Sequence, residues 1–184
     1  MAINEQLFTL KKPIVLIGMM GSGKSTIGRR LAGTLKIDFH DSDSIIEEQT
    51  GQSIPEIFSR DGESAFRQHE QEVILNQLTK GLCVISTGGG AIMNPVILSA
   101  IKAKAISIWL KADISEILRR VGKSKKRPLL QTVDPEKTLS DLLRDRGSFY
   151  NQADITIDTT GGNINLIVPE IIKTLSDKYK ADSF

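Results

Sequence analysis

Short runs of β-branched and apolar residues alternate along the chain with stretches whose apolar positions recur every three or four residues. Residues 13–17, PIVLI, form a continuous apolar run of the kind found in strands buried on both faces. Residues 25–35 follow as a helix, with Ile27, Leu31 and Leu35 four apart on one face. Further strands are expected at 37–41, 82–86, 105–110 and 155–158, making five in all. The alternation of strand and helix predicts an α/β fold with a mostly parallel sheet covered by helices on both sides.

Polar residues mark where the helices begin. Ser53 with Glu56, and Asp113 with Glu116, have the spacing of capping boxes, the second ahead of Ile114, Ile117, Leu118 and Val121. Asn94-Pro95 and Asp134-Pro135 each set an N-cap residue before a proline suited to the first helical position. Residues 164–179 read as a closing helix whose start Pro169 complicates. No repeat, low-complexity tract or linker divides the sequence, so one domain spanning residues 1–184 is expected.

Composition narrows the function classes. Among 184 residues, 40% are hydrophobic, 25% charged and 5% aromatic, with 24 Lys and Arg against 22 Asp and Glu. A net charge of +2 argues against nucleic acid or an anionic membrane as the main partner. No apolar stretch approaches the roughly 20 residues that span a bilayer, and the N-terminus lacks the apolar core of a secretory signal. The single cysteine, Cys83, excludes an internal disulfide, and its apolar surroundings read as core packing. A cytoplasmic protein is expected, with monomer as the default.

The average charge conceals sorting. Residues 38–72 hold ten acids and two arginines, whereas the nine residues 119–127, RRVGKSKKR, hold six bases and no acid. That basic run suits a solvated loop, a nucleic-acid patch or a lid over a triphosphate. In a lid, Arg127 beside Pro128 would stabilise a transferring phosphoryl group.

The most specific chemistry is at 18–25. Gly18-Met19-Met20-Gly21-Ser22-Gly23-Lys24-Ser25 matches the phosphate-loop pattern G-x-x-x-x-G-K-[ST], after a strand and before a helix. Its glycines let backbone N–H groups turn towards phosphate oxygens. The helix N-terminus and Lys24 add positive charge, and Ser25, followed by Thr26, can offer a hydroxyl to Mg²⁺. Strands 82–86 and 105–110 do not end in the usual magnesium-shell acid, so that role falls to Asp41, with Asp43 two residues on. Plain N-capping is the competing account of both acids.

Ser86-Thr87 leads into Gly88, Gly89 and Gly90, bare backbone that suits close approach by a polar small molecule or simply a turn. Arg146 shares a helical face with Leu139, Leu142 and Leu143, so it points inward and calls for an anionic partner such as a carboxylate. Arg67 lies three residues before Glu70, which can orient it, although a structural salt bridge explains the pair equally.

Taken together, GxxGxGKST, DSD at 41–43, DGExxFR at 61–67, TGGG at 87–90, KKRPLL at 125–130 and RxxxY at 146–150 resemble shikimate kinase over about 140 residues. The resemblance implies a P-loop NTPase fold of the nucleoside-monophosphate-kinase type with a mobile lid at about 119–134. It also implies transfer of the γ-phosphate of MgATP to the 3-hydroxyl of shikimate. By the same resemblance, ATP would meet Gly21, Ser22, Gly23, Lys24, Ser25, Thr26, Arg120 near the adenine, and Arg127. Mg²⁺ would sit at Ser25 and, through water, Asp41. Asp43 would bind the acceptor hydroxyls and act as base. Arg67 and Arg146 would grip the carboxylate beside the glycine backbone, and Phe58 and Phe66 would wall the substrate. One departure is Gly147-Ser148-Phe149 where many members read x-P-L, which leaves Arg146 and Tyr150 in place but alters the local turn. The loop 159–163 is too variable in the family to assign.

Rival readings are a gluconate or nucleoside monophosphate kinase of the same architecture, a GTP-dependent switch, and a nucleic-acid-binding ATPase. The absence of an N-K-x-D segment counts against the switch, and the few aromatic stacking platforms count against the last.

Overall fold

A computed structural model describes residues 10–121 and 133–179. The described chain runs β1 (Ile14–Ile17), α1 (Lys24–Leu35), β2 (Asp38–Asp41), α2 (Ser42–Thr50), α3 (Ile54–Arg60) and α4 (Gly62–Gln77). It continues with β3 (Cys83–Ser86), a 3₁₀ turn (Ala91–Met93), α5 (Pro95–Lys104), β4 (Ile106–Lys111), α6 (Ile114–Val121), α7 (Pro135–Tyr150), β5 (Ile155–Asp158) and α8 (Ile164–Tyr179). The five strands pair in the order β2-β3-β1-β4-β5. Every pairing is parallel, so the expected mostly parallel sheet is wholly parallel among the described residues.

Alternation along the central strand builds two cores. Ile14 and Leu16 face one layer, with Leu31 of α1 and Ile171 and Leu175 of α8. Val15 and Ile17 face the other, with Ile97 and Ile101 of α5, Ile117 of α6 and Leu139 of α7. Each of these side chains is at most 1% exposed, and burying one aliphatic side chain of this size stabilises by about 1.5–3 kcal/mol. A smaller cluster of Ile46, Ile57, Phe66 and Val73 ties α2, α3 and α4 together. Cys83 is buried, as its apolar run implies.

Helix starts follow the sequence signals with one exception. Asn94 Oδ1 accepts from the N–H groups of Val96 and Ile97, and Asp134 Oδ1 from that of Lys137. Glu56 reaches back to accept from Ser53 N–H at 2.7 Å. Glu116 does not cap Asp113: its carboxylate receives Arg119 and Arg120 instead, and Asp113 N–H donates to Thr160 Oγ1. Three charge-assisted bonds from two arginines outcompete one backbone donor for the same oxygens. Helix α8 runs through Pro169, whose missing N–H forgoes only one bond within the helix.

The strand order positions the site. Because β1 lies between β3 and β4, the loop leaving β1 emerges beside the glycines that follow β3. The acids at the end of β2 stand one strand further out. In open parallel sheets, ligands bind outside these carboxyl ends.

Candidate active site

A cavity of about 390 Å³ opens at the carboxyl end of the sheet. Its wall brings together Lys24 and Ser25 from the start of α1, Asp41 and Asp43 from β2–α2, and Gly88 and Gly89 after β3. Gly21, Gly23, Thr26 and Arg120 also line it.

The phosphate loop is shaped by its own contacts. Gly21 has φ +77°, and a Cβ there would lie 2.5 Å from Val121 of α6, so both conformation and space require glycine. Lys24 is buried and folded over the loop, donating to the carbonyls of Gly18 at 2.8 Å and Met19 at 2.9 Å. Ser22 is fully buried, and its N–H donates within the loop to the Met19 carbonyl at 3.2 Å. Thr159, fully buried, supports the loop from beneath by donating from Oγ1 to the carbonyls of Ser22 and Lys111.

Ser25 Oγ donates to Asp41 Oδ2 at 2.5 Å, with Ser86 Oγ 3.5 Å away. The other oxygen of Asp41 accepts from Ser44 N–H at 3.4 Å, a weak N-cap. Capping and site roles therefore coexist in one carboxylate. Among the described residues no group of three or more His, Cys, Asp or Glu side chains could hold a metal ion. One carboxylate with two hydroxyls nonetheless suits a hard cation that draws its other ligands from phosphate and water, the habit of Mg²⁺.

None of the three glycines has positive φ, so it is space and not backbone conformation that a side chain there would contest. A Cβ at Gly88 would strike Glu70 Oε1 and lie 3.2 Å from Asp43 Oδ1. At Gly89 it would lie 3.3 Å from Met20 N and 3.5 Å from Arg146 Nη1, and at Gly90 only 2.9 Å from Arg67 Nη2. The bare backbone thus admits the protein's own charged side chains. Of the three N–H groups, that of Gly88 donates to the buried Ser42 Oγ at 3.2 Å.

The two arginines differ. Arg67 is held by Glu70 at 2.6 Å and Glu63 at 3.1 Å, with its guanidinium 5.2 Å from the Phe66 ring centroid. Phe66 in turn contacts Phe58 with centroids 4.8 Å apart. Arg146 is 9% exposed and forms no ion pair with a described residue. A buried guanidinium without a carboxylate is costly unless an anion arrives. Glu70, 1% exposed, has its carboxyl raised above the usual range by burial and then by the Asp43 charge, while Arg67 and Arg146 pull it down. Its burial was not legible from sequence, although its spacing from Arg67 was.

Arg120 belongs to α6 and is fixed at three points: Glu116 Oε1 at 2.8 Å, Gly21 O at 3.2 Å and Thr159 O at 2.6 Å. It links the phosphate loop to the turn after β5. Two of the six bases in the run 119–127 are thereby matched by Glu116. Arg127, with most of the expected lid, lies outside the described residues.

Arg119 and Arg120 together hold the Glu116 carboxyl down from 4.5 to about 2. A carboxyl lowered by folding adds stability above its unfolded value and loses it as pH falls through the folded one. The melting-temperature gap between the parent and Glu116→Gln should therefore be full above about pH 4.5 and close towards pH 2. Thermal melts across that range check it.

Comparison with known proteins places this arrangement. The family model described as shikimate kinase matches residues 20–176. A shikimate kinase of Bradyrhizobium diazoefficiens is 52% identical over 164 residues, covering 89% of this chain and 79% of the relative. One from Nitrobacter winogradskyi is 47% identical over 164 residues, covering 89% and 77%. The solved structure of shikimate kinase from Acinetobacter baumannii in complex with shikimate is 40% identical, with a TM-score of 0.89 over 96% of this chain and 98% of that one.

Proposed function

The chain belongs to the shikimate kinase family and phosphorylates shikimate with ATP to give shikimate 3-phosphate; from that premise we propose which of its side chains carry the transfer. The observation that carries the assignment is that the phosphate loop and Asp43 face one cavity. Donor and acceptor can then meet in line, which is where most of the rate enhancement in phosphoryl transfer originates.

In this reading the backbone of Gly21, Ser22 and Gly23, together with Lys24 and Thr26, cradles the ATP phosphates. Lys24 leaves its carbonyl partners to meet the β- and γ-oxygens. Asp43 accepts the proton from the 3-hydroxyl of shikimate as that oxygen bonds to the γ-phosphorus. The bond from γ-phosphorus to the bridging oxygen breaks, and ADP leaves. Arg146 binds the shikimate carboxylate, aided by Arg67 and by the Gly89 and Gly90 backbone. Phe58 and Phe66 give the pocket an apolar wall. Arg120 borders the adenine, and Arg127, outside the described residues, is assigned the charge of the transferring γ-phosphate. Ser25 and, through water, Asp41 would hold Mg²⁺, which neutralises charge on the phosphate oxygens when bound.

One catalytic domain working in the cytoplasm as a monomer, without nucleic acid or membrane, completes the proposal. Near-balanced charge and the lone buried cysteine support it. Among the described residues no helix is long and apolar enough to cross a membrane.

A coupled ADP-release assay offered shikimate, gluconate and AMP in turn should give turnover with shikimate. Turnover with gluconate or AMP and none with shikimate would overturn the assignment.

A further inference from the structure

Tyr150 closes α7 and is fully buried, with its ring stacked on Trp109 at a centroid distance of 5.7 Å. A phenol in such a place needs a partner for its hydroxyl. Here the hydroxyl donates to the carbonyl of Gly89 at 2.5 Å and lies 3.6 Å from Met19 Sδ. Burial pushes the phenol up to about 12, so it stays a donor throughout the physiological range, while the charge of Arg146, one turn earlier on α7, and then hydrogen bonding to it pull the other way.

One hydroxyl thus bonds the glycine backbone, lies beside the phosphate loop at Met19, and sits within the field of Arg146, one turn earlier on the same helix. The Gly89–Gly90 peptide is trans, so its C=O and N–H point in opposite directions. Fixing the Gly89 carbonyl on Tyr150 therefore aims the Gly90 N–H away from the core. Neither the Gly89 nor the Gly90 N–H donates to a described residue, unlike that of Gly88. The peptide also lies against Arg146, whose Nη1 is 3.5 Å from where a Gly89 Cβ would stand.

We infer that Tyr150 is a positioning residue for the acceptor: its hydroxyl sets the Gly89–Gly90 peptide and the Arg146 guanidinium in the orientation that receives the shikimate carboxylate. This rests on the acceptor assignment of the proposed function. Tyr150 would not touch substrate. Its work is to remove the freedom of the groups that do, so that binding does not have to order them.

Tyr150→Phe removes only the hydroxyl and keeps the ring on Trp109, and a thermal melt checks that the variant folds. Steady-state kinetics should show the KM for shikimate raised about tenfold and the KM for ATP within about twofold of the parent. Calorimetric titration with shikimate alone should show the same loss. A role confined to stability would lower the melting temperature and leave both constants in place. Shikimate constants within about twofold of the parent, or an ATP KM rising in parallel, would overturn the inference. Arg146→Ala serves as the reference. If it raises the shikimate KM while Tyr150→Phe does not, only the role of Tyr150 fails. If it too leaves shikimate unaffected, the acceptor assignment fails and takes Tyr150 with it.

Discussion

Asp43→Asn should turn shikimate over at least about a hundredfold more slowly than the parent while melting at a similar temperature. The substitution is nearly isosteric, and the cap of α2 rests on Asp41, so the helix start is undisturbed. What changes is the chemistry at one oxygen. A carboxylate can take the proton of the attacking hydroxyl, whereas an amide can only hydrogen-bond to it. The change also removes a negative charge that acts on buried Glu70, which relaxes that site. Steady-state kcat at saturating shikimate and ATP measures the effect. A fall of less than about tenfold would reduce Asp43 to an orienting group and shift proton removal to phosphate or solvent.

Arg146→Ala should act on binding. The guanidinium is buried, forms no ion pair with a described residue and stands against the Gly89 backbone. Its charge acts on the buried Glu70 but is paired with no described carboxylate, so a substrate carboxylate offers it the direct contact that offsets its burial. Losing a charge-assisted, fork-shaped contact costs roughly 3 kcal/mol, or about a hundredfold in the KM for shikimate. The KM for ATP should hold. Arg146→Lys should recover only part of the loss, because an ammonium cannot present two parallel donors. Arg67 differs in kind: Glu63 and Glu70 accept from three of its five N–H groups, so truncating it would also leave the buried carboxylate of Glu70 without its cation.

Local signals in the sequence carried far. The phosphate loop was legible because eight contiguous residues hold its whole geometry, and the flanking strand and helix show in periodicity. Asn94 and Asp134 announced their helices because a cap bonds within three residues of itself. The inward direction of Arg146 followed from the leucines on its face. Capping at Asp113 failed for the opposite reason. Both Glu116 and its competitors, Arg119 and Arg120, were visible, but spacing alone could not rank an arginine pair above a backbone N–H.

By itself, then, the sequence determined the elements, the triphosphate loop and the residue types an acceptor site needs, since each depends on neighbours a few positions away. Tertiary structure decided who meets whom. The β2–β3 pairing, together with the helices packed on the sheet, sets Gly88 against Glu70 and Asp43, Gly89 against Arg146, and Gly90 against Arg67. The same packing gives Ser42 the Gly88 N–H and Tyr150 the Gly89 carbonyl. Hydrophobic periodicity states which face of an element is buried but not what that face will touch. Those partners lie 46 and 61 residues apart in the chain, and only packing brings them within a hydrogen bond.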